Sequence, residues 1–67
     1  MNKKEGEVKM SLPKDSVMLL SVVNMKLRDF YPSLEELAKA ENVTVEEIEN
    51  KLNGINYTYD STLNKFV

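Results

Sequence analysis

Apolar positions recur with a helical period in three stretches of this chain, then with a period of two near its end. In the first stretch Leu19, Leu20, Val23, Leu27 and Phe30 share one broad face. Ser21, Asn24 and Arg28 form a polar strip beside it, and Met18, Val22 and Met25 form a second apolar strip on the far side. Asp15 has the chemistry of an N-cap, because its carboxylate can take an orphan N–H at the positive end of the helix dipole. The helix is expected to run to about Phe30 or Tyr31, where Pro32 drives the preceding residue out of the α region.

Two shorter helices follow, each opened by a capping box. Ser33 stands three residues before Glu36, and Thr44 three before Glu47, the spacing at which hydroxyl and carboxylate each satisfy a backbone N–H. Leu34, Leu37 and Ala38 are expected to face inward from the second helix, and Val45, Ile48 and Leu52 from the third. Asn42 suits the left-handed turn between them, and Gly54 reads as a left-handed C-cap of the third helix. From Ile55 the period changes. Ile55, Tyr57 and Tyr59 alternate with polar residues, Asp60-Ser61-Thr62 offers a turn, and 63–67 would return as a second strand. At the other end Val8, Met10 and Leu12 alternate like a strand that could join the hairpin, or form an irregular arm.

The expected fold is therefore mainly α, a small α+β class. It is a three-helix helix-turn-helix (winged-helix-like) domain with a C-terminal β-hairpin. Residues 1–9 are charged and read as a disordered extension, leaving residues 10–67 as one domain. A chain of 67 residues buries only about 60% of its unfolded surface, so little stability is in reserve. With neither cysteine nor histidine, it has no disulfide or thiolate–imidazole metal site to add to that.

The run from Val17 to Val23 is far shorter than the ~20 residues of a spanning helix and lacks the flanks of a secretion signal. A cytoplasmic protein that does not engage membranes is expected. Nine basic against eleven acidic residues offer no global attraction to nucleic acid.

Chemistry-bearing residues are sparse. Without histidine or cysteine no activated nucleophile stands beside a base, so an enzyme is not expected, nor a cofactor or small-molecule substrate. Glu46 and Glu49 share a helix face but make only a weak pair for a metal. Tyr31, Tyr57 and Tyr59 could stack on bases, although packing of the hairpin accounts better for them.

The candidate site is the far strip of helix one, Met18, Val22 and Met25, with Asn24 and Arg28 next to it. Methionine suits an adaptable contact surface, and Arg28 can fork a carboxylate or phosphate, or simply pair with a neighbouring acid. The strip would be covered by a protein partner, by a second copy, or by residues 8–12 folding back.

The expected role is thus a non-catalytic protein-interaction module, self-associating or binding a protein partner. The alternative is a DNA-binding transcriptional regulator of the winged helix-turn-helix type, with Lys39, Lys51, Lys65 and the N-terminal lysines on phosphates. Glu46, Glu47 and Glu49 on the third helix oppose that use. A folding appendage with no partner is a third possibility.

Two resemblances bear on this. Ala38, Asn42, Val43 and Ile48 fall at the helix-turn-helix spacing, and the segment from Gly54 to Val67 resembles the compact wing of repressor-type winged helices. Residues 12–67 are more closely similar to a family of small bacterial proteins, domain of unknown function 4250. The similarity runs through Leu12-Pro13-Lys14-Asp15, Met18 to Tyr31, Ser33 to Leu37, Tyr57 to Asp60 and Leu63 to Phe66. That resemblance implies no activity, ligand or catalytic residue.

Overall fold

The computed structural model describes residues 12–67, so the expectations for 1–9, for Val8 and for Met10 lie outside the described residues. Leu12 is described; it lies outside regular structure and packs against the core. Three helices follow, α1 at Ser16–Asp29, α2 at Leu34–Glu41 and α3 at Val45–Asn53, then a hairpin of β1 at Tyr59–Asp60 and β2 at Lys65–Phe66. Among the described residues no helix is long and apolar enough to cross a membrane.

The helix starts follow from their caps. Asp15 Oδ1 accepts the Val17 N–H at 3.0 Å, and Ser33 Oγ accepts the Glu36 N–H at 3.2 Å. Thr44 forms the complete reciprocal box: Glu47 N–H donates to its Oγ1 at 3.1 Å, and Thr44 N–H donates to Glu47 Oε1 at 2.8 Å. At Ser33 the serine half of the expected box is the half that forms.

The ends of α2 and α3 are settled by asparagine. Asn42 has φ 61°, and the Asn42 and Val43 N–H groups return to the carbonyls of Lys39 and Ala38. That is a Schellman closure, which satisfies carbonyls the helix leaves orphaned. Gly54 stands at the C-cap of α3 as expected, but without the expected left-handed conformation. Gly54 is right-handed, at φ −63° and ψ −20°, and the left-handed residue is Asn56 at φ 70°. Asn56 N–H bonds Asn53 and Tyr57 N–H bonds Leu52, so the same closure occurs two residues later than the glycine suggested. Ile55 and Tyr57 are consequently spent on ending α3 rather than on a strand.

The strands are shorter than the alternation implied. Tyr59 faces Phe66 and Asp60 faces Lys65, and Thr58 and Val67 exchange both backbone bonds at 3.0 and 2.9 Å to lengthen the ladder. Asp60 Oδ1 closes the turn by accepting the N–H groups of Thr62 and Leu63.

One hydrophobic cluster joins all of these elements. Leu19, Val23 and Leu27 of α1 meet Leu34, Leu37 and Ala38 of α2, Ile48 and Leu52 of α3, and Phe66 of the hairpin. Leu20 and Val45 are half-buried at its edge. Phe30 was expected on this face but is 67% exposed. The helix stops at Asp29, and Phe30 leaves helical geometry at φ −126°, so its side chain rotates off the wheel that was to bury it. It rests edge-on against Tyr31 instead.

Three variants check this arrangement. Leu27→Ala should destabilise the domain by about 2–5 kcal/mol in chemical denaturation, the usual cost of a leucine cavity. Asn56→Ala should cost about 1–2 kcal/mol because alanine resists φ 70°. Gly54→Ala should change stability by less than about 1 kcal/mol, since the right-handed backbone suits alanine while its Cβ, 3.3 Å from the Lys51 carbonyl, requires that carbonyl to give by a few tenths of an ångström.

Candidate functional site

The candidate strip lies on the outward side of α1, opposite Leu19, Val23 and Leu27. Met18 is 58% exposed, Met25 is 36% exposed and Val22 is half-buried. The hairpin borders this side of the helix. Phe66 bonds to Asn24 at mid-helix, and Asn64 bonds to Leu27 and Tyr31 near the helix end, so β2 runs antiparallel to α1. Of the seven large apolar side chains left exposed among the described residues, Val17, Met18 and Met25 belong to α1 and Leu63 and Val67 flank β2, while Phe30 and Tyr57 lie in the connections after α1 and α3. Most of the apolar surface this small fold leaves uncovered therefore lies on α1 and the strand beside it.

Between them runs an open groove of about 660 Å³. On the α1 side it is lined by Ser21, Asn24, Met25, Leu27 and Arg28, and on the hairpin side by Leu63, Asn64 and Lys65. Three of the predicted site residues, Asn24, Met25 and Arg28, are brought together here. Met18 and Val22 stand further along the outward face of α1, outside the groove. A smaller hollow of about 250 Å³ lies between Leu12, the start of α1 and α3, with the Lys51 ammonium donating to the Lys14 carbonyl at 3.4 Å.

Asn24 has a different task from the one the polar strip suggested. Its Oδ1 accepts the Phe66 N–H at 2.8 Å and its Nδ2 donates to the Phe66 carbonyl at 3.2 Å. The side-chain amide pairs with the strand as another strand's peptide group would. Asn64 does the corresponding work at the far end of the groove. It sits at φ 55°, and its Nδ2 donates to the carbonyls of Leu27 at 3.1 Å and Tyr31 at 3.0 Å. Those carbonyls belong to the end of α1 and the turn after it, where the helix itself supplies no partner. Its Oδ1 accepts the Tyr59 hydroxyl at 2.6 Å, and that hydroxyl accepts the first N–H of α2, from Leu34, at 3.3 Å. Tyr59 is thus a packing residue with a satisfied hydroxyl, as the hairpin reading of the tyrosines expected.

Arg28 forms a two-pronged pair with its neighbour Asp29, both contacts at 2.9 Å. The hydrogen bond raises the arginine's pKa above its ordinary value and lowers the carboxyl's below its own. Both groups are on the surface, so this pair contributes little to stability. The tie between helices is elsewhere, where Lys26 meets the largely buried Glu41 at 3.3 Å. Leu63 and Asn64 were not singled out in the sequence. The available signal was an asparagine closing a turn just before a strand, where the left-handed conformation is common.

Among the described residues no three acidic side chains gather as metal ligands. The chemistry on offer is contact: apolar side chains, two cationic heads and amides already occupied by the fold.

A family model described as Domain of unknown function (DUF4250) matches residues 13–66, which span all three helices and the hairpin. The chain belongs to that family. No curated protein and no solved structure matches it. For this DUF4250 domain the hairpin clamp gives a direct test. Asn24→Leu leaves two backbone groups of Phe66 without partners and should cost about 1–3 kcal/mol, with faster amide exchange at Phe66 and Val67. Asn24→Asp should be destabilised at neutral pH, where a carboxylate faces the Phe66 carbonyl. Its stability should recover as pH falls and the protonated acid regains a donor.

Proposed function

We propose that this domain is a non-catalytic protein-interaction module whose contact surface is the outward face of α1. The supporting observation is the exposed apolar stripe of Met18 and Met25 with half-buried Val22, continued by Leu63 and Val67 on the hairpin. A domain of this size exposes single apolar residues freely, whereas a run of them along one helix and the strand beside it costs solubility unless something covers it. Methionine adds adaptability to the surface, because its unbranched side chain repacks against differently shaped partners. The partner is another protein or a second copy of this chain, and the cytoplasm is the setting we assign to it.

The second reading is a DNA-binding regulator. It draws on the order of α2, the tight turn at Asn42, α3 and the following hairpin. It stands second because the outward side of α3 carries Glu46, Glu47, Asn50 and Asn53, with Lys51 as its cation. Phosphate contacts need cations there.

The interaction reading is tested with a double variant, Met18→Glu with Met25→Glu, against Ala40→Glu, on the exposed side of α2, as a surface control. Association would be followed by sedimentation of the purified protein and by capture from native lysate with and without nuclease. Both variants should keep stability within about 0.5 kcal/mol, because the altered side chains are exposed. The double variant should lose the association that the control keeps. Equal association by all three proteins would overturn the proposal, and loss on nuclease treatment would favour the second reading.

A further inference from the structure

The groove between α1 and the hairpin differs in charge from the outward sides of α2 and α3. From Leu34 to Asn53 the chain presents exposed Glu35, Glu36, Glu46 and Glu47 and half-buried Glu49 against Lys39 and Lys51, so α2 and α3 form an acidic side. The ionisable side chains that line the groove are Arg28 and Lys65, both cationic and both exposed. Between them lie Met25 and Leu63, and the floor is made by Asn24 and Asn64, whose amides are committed to the hairpin and to the end of α1. Asp29 does hold Arg28, but as an exposed sequence neighbour, a contact that is easily exchanged for another carboxylate.

We infer that the groove takes an acidic, apolar-bearing segment of a partner protein. A large apolar side chain of the partner enters between Met25 and Leu63, and its carboxylates meet Arg28 and Lys65. This deepens the interaction reading and rests on it. It names the partner's chemistry on three grounds. The volume, about 660 Å³, suits a few side chains rather than a whole domain. Its cations stand on one side of a chain with net charge −2, so the groove attracts acidic segments that the α2–α3 side repels. Asn24 and Asn64 already spend hydrogen bonds on the hairpin and on the end of α1, so the exposed rim, with its two cations and its apolar side chains, is the main means of recognition.

The test is a titration of isotope-labelled protein with short peptides that share one apolar pattern, Leu-x-x-Phe-x-x-Leu. Glutamate, glutamine or lysine fills the intervening positions. The glutamate peptide should bind about tenfold more tightly than the glutamine peptide at low salt, with the gap closing as salt rises. Its amide shifts should centre on Met25, Arg28, Leu63 and Lys65. Reversing the groove's charge with Arg28→Glu and Lys65→Glu should transfer the preference to the lysine peptide. Unchanged amide protection at Phe66 would show that the hairpin stays docked in that variant. Equal affinity for all three peptides at the groove would overturn the acidic selectivity and leave α1 as an interaction surface. Absence of shifts there with the glutamate peptide at millimolar concentration would overturn the inference itself. The association assay on Met18 and Met25 is read independently of peptide charge, so the two failures are told apart.

Discussion

Two asparagine amides hold this fold closed. A hairpin of two-residue strands is too short to stand alone in water, and the edge of β2 that faces α1 carries backbone groups that burial would leave unpaired. Asn24 takes both such groups of Phe66, and Asn64 ties the hairpin turn to carbonyls at the end of α1 and in the turn after it. With those bonds in place the Phe66 ring can sit in the core beside Tyr59, at a centroid separation of 5.5 Å, and complete the cluster built by the helices. Without them Phe66 would have to carry unsatisfied peptide groups inward. The polar bonds contribute modestly in themselves; their weight comes from what would be stranded in their absence.

That dependence explains which features could be read from residues alone. Helix starts were legible at Asp15, Ser33 and Thr44, because a cap is a local contact between residues two or three apart. The buried faces Leu19–Val23–Leu27, Leu34–Leu37–Ala38 and Ile48–Leu52 were legible because periodicity survives any tertiary arrangement that covers one face. Phe30 was misplaced because the wheel was extended past the point where the backbone leaves the helix. Gly54 was misread because asparagine at position 56 tolerates the same left-handed geometry, and the Leu52 carbonyl was better reached from Tyr57.

The candidate site was half legible for the same reason. Met18, Met25 and Arg28 were identified from one helix, and their exposure follows from the face opposite the core. The role of Asn24 needs a partner 42 residues away, and no spacing rule reports that. The groove itself exists only because β2 lies antiparallel to α1, which brings Leu63 and Lys65 beside a helix they are far from in sequence. Long-range polar pairing of this kind is a tertiary property. From the sequence it appears as an ordinary asparagine on a polar strip.

The clamp also divides the groove into parts that can and cannot move. Releasing Asn24 from Phe66 exposes two backbone groups at once, so the floor does not rearrange to suit a ligand at low cost. The rim is different. Met25, Arg28, Leu63 and Lys65 are exposed, and their long side chains keep rotamer freedom that the floor lacks. A partner entering here would meet a fixed base between adjustable walls, so the ordering cost of binding falls on a few side chains rather than on the backbone. Tolerance of varied sequence in the partner follows from the rim, and the position and direction of the groove follow from the clamp. In a domain with this little core, the side chains that fix the hairpin and those free to make contacts have to be different ones, and they are.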